Sequence, residues 1–378
     1  MSVIYLDNNA TTPVLPGVIE AMRPFLTDVC GNPASAHGAG RRARQALEQA
    51  REQIAAILDA FPDEVIFTSG ATEANNMAVR GLVGPAPAHV VASPIEHPSV
   101  AEPLEHLRQT GVEVDYLPVD HHGLVSAGAL REAVRPQTQM VAVMLANHET
   151  GTVQPIAELR QAVEPHIAFH CDAVQAVGKL PVKFHQLGVT TLSLSAHKFH
   201  GPKGIGALFV RRGTQVAPLV FGGHQQQGRR PGTEPVALAV GLATALELWQ
   251  SEQEQRTAHV RRLRGRLLDG LRRAASPLHM NGAEDGVPHT LNISFPGCRP
   301  DALLMNLDLA GICCSTGSAC SSGSLLPSPV LKAMSASEED LSSAMRFSLS
   351  PLLTEADMDE ASKRIAEAVG RQRTLRED

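Results

Sequence analysis

Side chains able to perform acid–base or covalent chemistry follow the ends of several predicted strands. The turn Ser69–Glu73 is built of small and polar residues and leads into a helix, where backbone N–H groups can hold a phosphate. Later strands are followed by similar groups: Glu96 with His97, Asn147–Gly151, Asp172 with Gln175, and Ser195–Lys198. Since ligands bind beyond the carboxyl ends of strands in open parallel sheets, we expect these residues to share one site.

The residue types in this set suit pyridoxal 5′-phosphate. A lysine such as Lys198 can form a Schiff base with the cofactor, and an aspartate such as Asp172 can keep its pyridine nitrogen protonated. Each residue alone also has an ordinary explanation as a helix cap, an ion-pair partner or a solvated side chain. Their placement at successive strand ends favours a shared cofactor site.

Common nucleotide-binding motifs do not fit the sequence. A Gly-x-x-x-x-Gly-Lys-Ser/Thr loop is absent, which argues against a Walker-type ATPase. The segment Gly38–Ala43 resembles a degenerate dinucleotide fingerprint, but no strand precedes it. We therefore reject a dinucleotide site there.

The six cysteines do not form a Cys-x-x-Cys pair, so no metal site is predicted from them. Most are expected in the core, because free cysteine packs like a small hydrophobic residue. Cys320 differs, since it lies in the small, hydroxylated segment Ser315–Ser324, which is typical of a surface loop. From these residues alone, a functional thiol and an incidental exposed thiol are equally good interpretations.

The elements that must position these residues follow an α/β pattern. The segment Gly40–Leu58 has the periodicity of an amphipathic helix. Near-continuous apolar runs, as expected of strands covered on both faces, predict a mostly parallel seven-stranded sheet: Val65–Thr68, His89–Ser93, Glu113–Leu117, Met140–Leu145, His166–Cys171, Thr191–Leu194 and Ile205–Val210.

Two domains are predicted. A large cofactor-binding domain covers residues 15–250, and a smaller α+β domain combines residues 1–14 and 251–378 and carries Cys320. The polar segment Gln250–Gln255 marks the boundary within an otherwise helical region. Beyond it the pattern predicts two strands and two helices: Thr290–Phe295, Met345–Leu349, Asp301–Leu309 and Glu355–Val369.

Composition excludes several classes of protein. The chain has 378 residues, 43% of them apolar and 19% charged, which is an ordinary globular composition. A net charge of −6 gives no general attraction to nucleic acid or to anionic membranes. No apolar run is long enough to span a bilayer, and no secretory signal is visible. Together with the unpaired cysteines, this predicts a cytoplasmic protein.

Ordered motifs along nearly the whole chain resemble those of the NifS-like cysteine desulfurases, pyridoxal-phosphate enzymes of the class-V aminotransferase group. The motifs are YLDNNATTP (5–13), GNPAS (31–35), TSGATE (68–73), EH (96–97), DAVQ (172–175), SAHKFHGPKG (195–204), GSAC (317–320) and MRFSL (345–349). The resemblance implies a type I fold of pyridoxal-phosphate-dependent transferases and a homodimer.

It also implies roles for individual residues. Lys198 would bind the cofactor covalently and move protons, and Asp172 would pair with the pyridinium nitrogen. His97 would stack on the ring and assist acid–base steps. Gln175 would contact the 3-oxygen, as would His148, which stands where many relatives have asparagine.

The remaining implied residues surround the phosphate and the substrate. The phosphate would be held by Ala71, Thr72, Ser195 and His197. Thr233 of a partner subunit would complete this phosphate-binding site. Arg346 would bind the carboxylate of the substrate, assisted by Asn32.

By the same resemblance, Cys320 would attack the sulfur of bound L-cysteine, leaving L-alanine and a persulfide. The sulfur would pass to an acceptor protein that serves iron–sulfur clusters, thiolated tRNA or another thio-cofactor, and Cys320 could transiently bind a cluster iron. A selenocysteine lyase or cysteine lyase is the alternative. A non-catalytic sulfur-assembly platform is a third hypothesis, against which the intact Lys198, Asp172, His97 and Cys320 argue.

Overall fold

A computed structural model describes residues 2–317 and 327–377. A seven-stranded sheet forms its centre, in the spatial order β2-β8-β7-β6-β5-β3-β4. The strands are β2 (Val65–Thr68), β3 (His89–Ala92), β4 (Glu113–Tyr116), β5 (Thr138–Ala142), β6 (Ala168–Asp172), β7 (Thr191–Ser195) and β8 (Gly206–Val210). Only β8 runs against its neighbours, so the other strands share one direction and end at the same edge.

Helices cover both faces of this sheet. On β2, Phe67 packs into the core that also holds Leu47 and Leu246, whereas its neighbour Ile66 packs against Met77 on the opposite face. The alternation follows from the period of two along a strand. Both faces are thus buried, which explains the apolar runs in the sequence.

The described helices alternate with the strands and then dominate the C-terminal third. They are α1 (Pro16–Thr27), α2 (Gly38–Ile57), α3 (Ala71–Leu82), α4 (Pro98–Gln109), α5 (Ala127–Ala133), α6 (Ile156–Gln161), α7 (Phe184–Leu187), α8 (Val236–Ser251), α9 (Gln253–Ala274), α10 (Pro300–Leu309), α11 (Pro329–Ala333), α12 (Glu338–Leu341) and α13 (Glu355–Glu377). Helix α8 ends and α9 begins at Glu252, inside the polar segment predicted as a boundary.

A second hydrophobic core lies around a smaller sheet. Strand β10 (Thr290–Ser294) pairs antiparallel with β12 (Ala344–Ser348) and with β9 (His279–Met280). The N-terminal β1 (Ile4–Tyr5) pairs with β11 (Ile312–Cys313) and so joins this core. The division into a large domain of residues 15–250 and a small domain of residues 1–14 and 251–378 remains a prediction.

The structure shifts some predicted boundaries. Strand β5 begins at Thr138, two residues before the predicted Met140, and ends at Ala142. Val143 and Leu145 still donate backbone hydrogen bonds to β6 but lie outside the ladder. The two-residue β9 escaped prediction because it is too short to show periodicity. Across the ranges that the structure describes, no helix combines the length and apolar character needed to cross a membrane.

Candidate active site

An open cavity lies at the edge where the parallel strands end. Most of the predicted site residues line it: Ala71, Thr72, His97, His148, Asp172, Gln175, Ser195, His197, Lys198 and Arg346. They come from separate strand ends and from the small sheet, so the fold brings together groups that are distant in sequence. The N-terminal residues Asn9, Ala10 and Thr11 also line the cavity.

Lys198 ends a short 3-10 turn, Ala196–Lys198, directly after β7. Its Nζ donates hydrogen bonds to the carbonyl oxygens of Asn9 at 2.6 Å and Ala10 at 3.0 Å. The N-terminal segment is fixed beside it, since the Thr12 N–H bonds the His197 carbonyl oxygen at 2.9 Å. The backbone carbonyls thus hold the lysine amine at the cavity.

Asp172 is the last residue of β6 and is only 3% exposed. Its Oδ2 accepts a hydrogen bond from Asn75 Nδ2 at 2.7 Å, and its Oδ1 accepts one from the Val174 N–H at 3.0 Å. Asn75 also donates to Ser99 Oγ at 2.8 Å and contacts His170 Nε2 at 3.1 Å through Oδ1. Asn75 therefore orients the carboxylate, a role that the sequence analysis missed.

His97 is the N-cap of α4, and this position determines its tautomer. Its Nδ1 accepts a hydrogen bond from the Ser99 N–H at 3.1 Å and lies 2.8 Å from Ser99 Oγ. In the neutral ring the proton is consequently on Nε2. Burial lowers the pKa of His97, with Lys198 acting the same way and Asp172 opposing. The site thus favours a neutral imidazole.

The start of α3 offers a cradle for an anion. Its N-cap is Gly70, which has no side chain to cap the first turn, so the N–H groups of that turn face a potential ligand. Ser195 and His197 line the same cavity. Burial and then Lys198 lower the pKa of His197 to about 4, so this ring is neutral at pH 7.

Arg346 lies on β12 and is 1% exposed. It donates hydrogen bonds to the His148 carbonyl oxygen at 3.0 Å and to Asp7 Oδ1 at 2.8 Å. Its Nε has no hydrogen-bond partner among the residues that the structure describes. A buried guanidinium with spare donor capacity suits an incoming carboxylate.

His148 contributes a second imidazole to the cavity. It is 5% exposed, and its ring meets that of His97 edge-on with centroids 5.2 Å apart. Within the described part of the chain, neither ring nitrogen has a hydrogen-bond partner. Burial, His97 and Arg346 lower the pKa of His148 well below its usual value. The ring is therefore neutral and has an N–H to offer a bound group.

These groups fit pyridoxal 5′-phosphate. The uncapped start of α3 suits its phosphate, Asp172 supplies a buried carboxylate, and Lys198 supplies an amine in the same cavity. Buried polar atoms normally have hydrogen-bond partners, but among the described residues both ring nitrogens of His148 and the Nε of Arg346 have none. A bound cofactor and substrate could provide them.

Three predicted residues stand apart from the cavity. Asn32 is exposed, and its Oδ1 accepts a hydrogen bond from the Ala34 N–H at 2.9 Å. Thr233 is exposed and does not line this chain's cavity. Cys320 lies outside the described residues. Among the described cysteines, burial raises the pKa of Cys313 and raises that of Cys314 further.

Known proteins are similar to this chain in both sequence and fold. The aminotransferase class-V model matches residues 4–360. The chain is 44% identical to cysteine desulfurase IscS of Dictyoglomus turgidum, across 94% of this chain and 92% of that protein. It is 45% identical to a cysteine desulfurase of a Nostoc species, across 99% of this chain and 95% of that protein.

Solved structures of similar proteins have the same fold as this chain. One described as a NifS-like protein has a TM-score of 0.92 and 37% identity, covering 98% of this chain and all of the other. Another, described as SspA in complex with cysteine, has a TM-score of 0.82 and 36% identity, covering 93% of this chain and 99% of the other. By sequence and by fold, this chain belongs to the class-V aminotransferase family and, within it, to the NifS-like cysteine desulfurases.

Proposed function

We propose that this protein is a cysteine desulfurase that converts L-cysteine to L-alanine and moves the sulfur to Cys320 as a persulfide. The observation that carries the proposal is one cavity that combines Lys198, Asp172, His97 and an uncapped helix start. The likeness to cysteine desulfurases over nearly the whole chain supports it.

Pyridoxal 5′-phosphate, on which this family depends, supplies an electron sink conjugated to the substrate Cα. Asp172 would hold the proton of the pyridine nitrogen, and Lys198 would bind the cofactor. Ala71 and Thr72 would hold its phosphate, together with Ser195 and His197, which line the same cavity.

Arg346 binds the substrate carboxylate through its spare Nε donor. Lys198 then moves the proton at the substrate Cα, and the neutral His97 exchanges a proton at the substrate amine or thiol.

Cys320 acts as a thiolate on the substrate sulfur. A sulfur–sulfur bond forms as the carbon–sulfur bond breaks, and the carbon keeps the electron pair and takes up a proton, giving alanine. The persulfide sulfur then leaves for an acceptor protein. Burial raises the pKa of the Cys313 and Cys314 thiols, which lowers the thiolate fraction of both.

The functional protein is a cytoplasmic homodimer in this proposal, with Thr233 completing the phosphate site of the partner subunit. Thr233 is exposed, and the same loop region presents Phe221 at 85% and Val220 at 54% exposure, as a protein interface would. Light scattering of the purified protein should give a dimer mass. A monomer that retains full activity would contradict this arrangement.

Alanine and sulfide released from L-cysteine, with a thiol reductant present, test the reaction. Wild type should give equal amounts of both products, and Cys320→Ser should give neither, while Cys313→Ser serves as the matched control and should match wild type. Alanine formed from selenocysteine but not from cysteine, and still formed by Cys320→Ser, would support the lyase alternative instead.

A further inference from the structure

Lys179 lies beside the candidate active site and contacts Gln175. Its Nζ donates a hydrogen bond to Gln175 Oε1. Both residues belong to the series of turns that follows β6. Within it, Gly178 has a φ of 75°, and a Cβ there would lie 2.2 Å from the Cβ of Phe199, the residue after Lys198. The turn is therefore packed closely against the segment that carries the catalytic lysine.

The contact with Lys179 determines which end of the Gln175 amide faces which partner. In its ammonium form Lys179 has N–H donors and no acceptor, so its Nζ meets the carbonyl Oε1 and Nε2 points the other way. There it donates to the Asn9 carbonyl oxygen at 3.0 Å, the same oxygen that accepts from Lys198 Nζ at 2.6 Å. An amide nitrogen carries two hydrogens, so Gln175 has a second N–H to offer a ligand in the cavity that it lines.

Among the residues that the structure describes, no carboxylate forms an ion pair or hydrogen bond with Lys179 to account for its position. Of the described residues lining the small cavity on its other side, none is a carboxylate, and four besides Lys179 are basic: Lys198, His200, Arg256 and His289. Burial, Lys198 and Arg346 lower the pKa of Lys179 well below its usual value. Enclosing an amine among other basic groups costs free energy. Such a cost points to a function other than packing.

We propose that Lys179 is a positioning residue that locks the Gln175 amide with its Nε2 toward the cofactor. The inference rests on the proposed function, in which this second N–H donates to the 3-oxygen of the cofactor. Without Lys179, only the hydrogen bond to the Asn9 carbonyl oxygen still holds the amide within the described part of the chain, and an amide that turned over would present Oε1, which would repel the 3-oxygen. Lys179 thus acts on the cofactor only through Gln175.

Reconstitution of the cofactor-free protein with pyridoxal 5′-phosphate tests this without any substrate. Lys179→Met should raise the Kd of the cofactor about tenfold, the equivalent of one lost hydrogen bond at the strong end of the usual range, and should shift the absorbance maximum of the bound cofactor at a fixed pH. Lys179→Arg retains an N–H donor and should stay within a few-fold of wild type. Lys363→Met makes the same chemical change at an exposed position on α13 and should change neither quantity.

A double-mutant cycle separates positioning from a direct charge effect. In the Gln175→Ala background, Lys179→Met should add no further change in Kd or absorbance. An unchanged Kd in the single variant, or an undiminished effect in the Gln175→Ala background, would overturn the proposal. A wild type that binds the cofactor but forms no alanine would contradict the proposed reaction alone, since none of these measurements uses cysteine.

Discussion

Asn75→Ala removes the amide that joins Asp172 to two other buried side chains. Asn75 is 0% exposed and contacts Asp172 Oδ2 at 2.7 Å, Ser99 Oγ at 2.8 Å and His170 Nε2 at 3.1 Å. A hydrogen bond to a charged group contributes about 1.5–3 kcal/mol and a neutral one about 1 kcal/mol. Losing all three should therefore lower the free energy of unfolding by about 4 kcal/mol.

Urea denaturation of the cofactor-free protein measures this change, and Asn76→Ala provides the matched control. Asn76 is the next residue of the same helix, but within the described residues its amide donates only to backbone carbonyls, that of Thr72 at 2.9 Å and that of Ser99 at 3.5 Å. Asn76→Ala should therefore lower the free energy of unfolding by about 1 kcal/mol or less.

The same substitution should also weaken cofactor binding, because the Asp172 carboxylate loses its orientation toward the pyridine nitrogen. If Asn75→Ala proved as stable as Asn76→Ala and bound pyridoxal 5′-phosphate as tightly as wild type, the supporting role of Asn75 would be refuted.

Three further substitutions test other parts of the site. Burial raises the pKa of Glu96 from 4.5 to about 8, because the folded protein favours the protonated carboxyl. The contribution of Glu96 to the free energy of unfolding is therefore fully present below pH 4.5 and is lost as the pH rises to 8. The free energy of unfolding of Glu96→Gln should therefore rise relative to that of wild type across this range, by up to ~1.4 kcal/mol per pH unit. Urea denaturation at several pH values measures this difference, and a difference that does not change with pH would contradict the prediction. Arg346→Lys should raise the KM for L-cysteine roughly 10–100-fold, because an ammonium cannot form the paired bonds of a guanidinium, and an unchanged KM would speak against carboxylate binding there. Lys198→Ala should lose the yellow absorbance of the bound cofactor and all turnover, so sulfide release at the wild-type rate would exclude Lys198 as the catalytic lysine.

The large sheet was predictable because its strands are buried on both faces and therefore read as apolar runs. The gathering of Lys198, Asp172 and His97 followed from one rule, that ligands bind at the carboxyl ends of parallel strands. Those residues now line one cavity, as expected.

Other parts of the site depend on tertiary contacts that sequence patterns do not encode. The Asn9 carbonyl that accepts from Lys198 comes from the far N-terminus, and Lys179 acquires its environment only when the turn packs on Phe199. Asn75 had a weak signal, since it stands with Asn76 inside a helix, where asparagine is a poor helix former. A polar residue in an unfavourable position can thus point to a buried contact.

Mass spectrometry of the digested protein can detect the transfer of sulfur from L-cysteine to Cys320. Protein incubated with L-cysteine without reductant, then alkylated, digested and fragmented, should carry one extra sulfur atom on Cys320, in proportion to the alanine released. The other five cysteines should carry none: Cys30, Cys171, Cys298, Cys313 and Cys314. Alanine released without added sulfur on Cys320 would contradict the account.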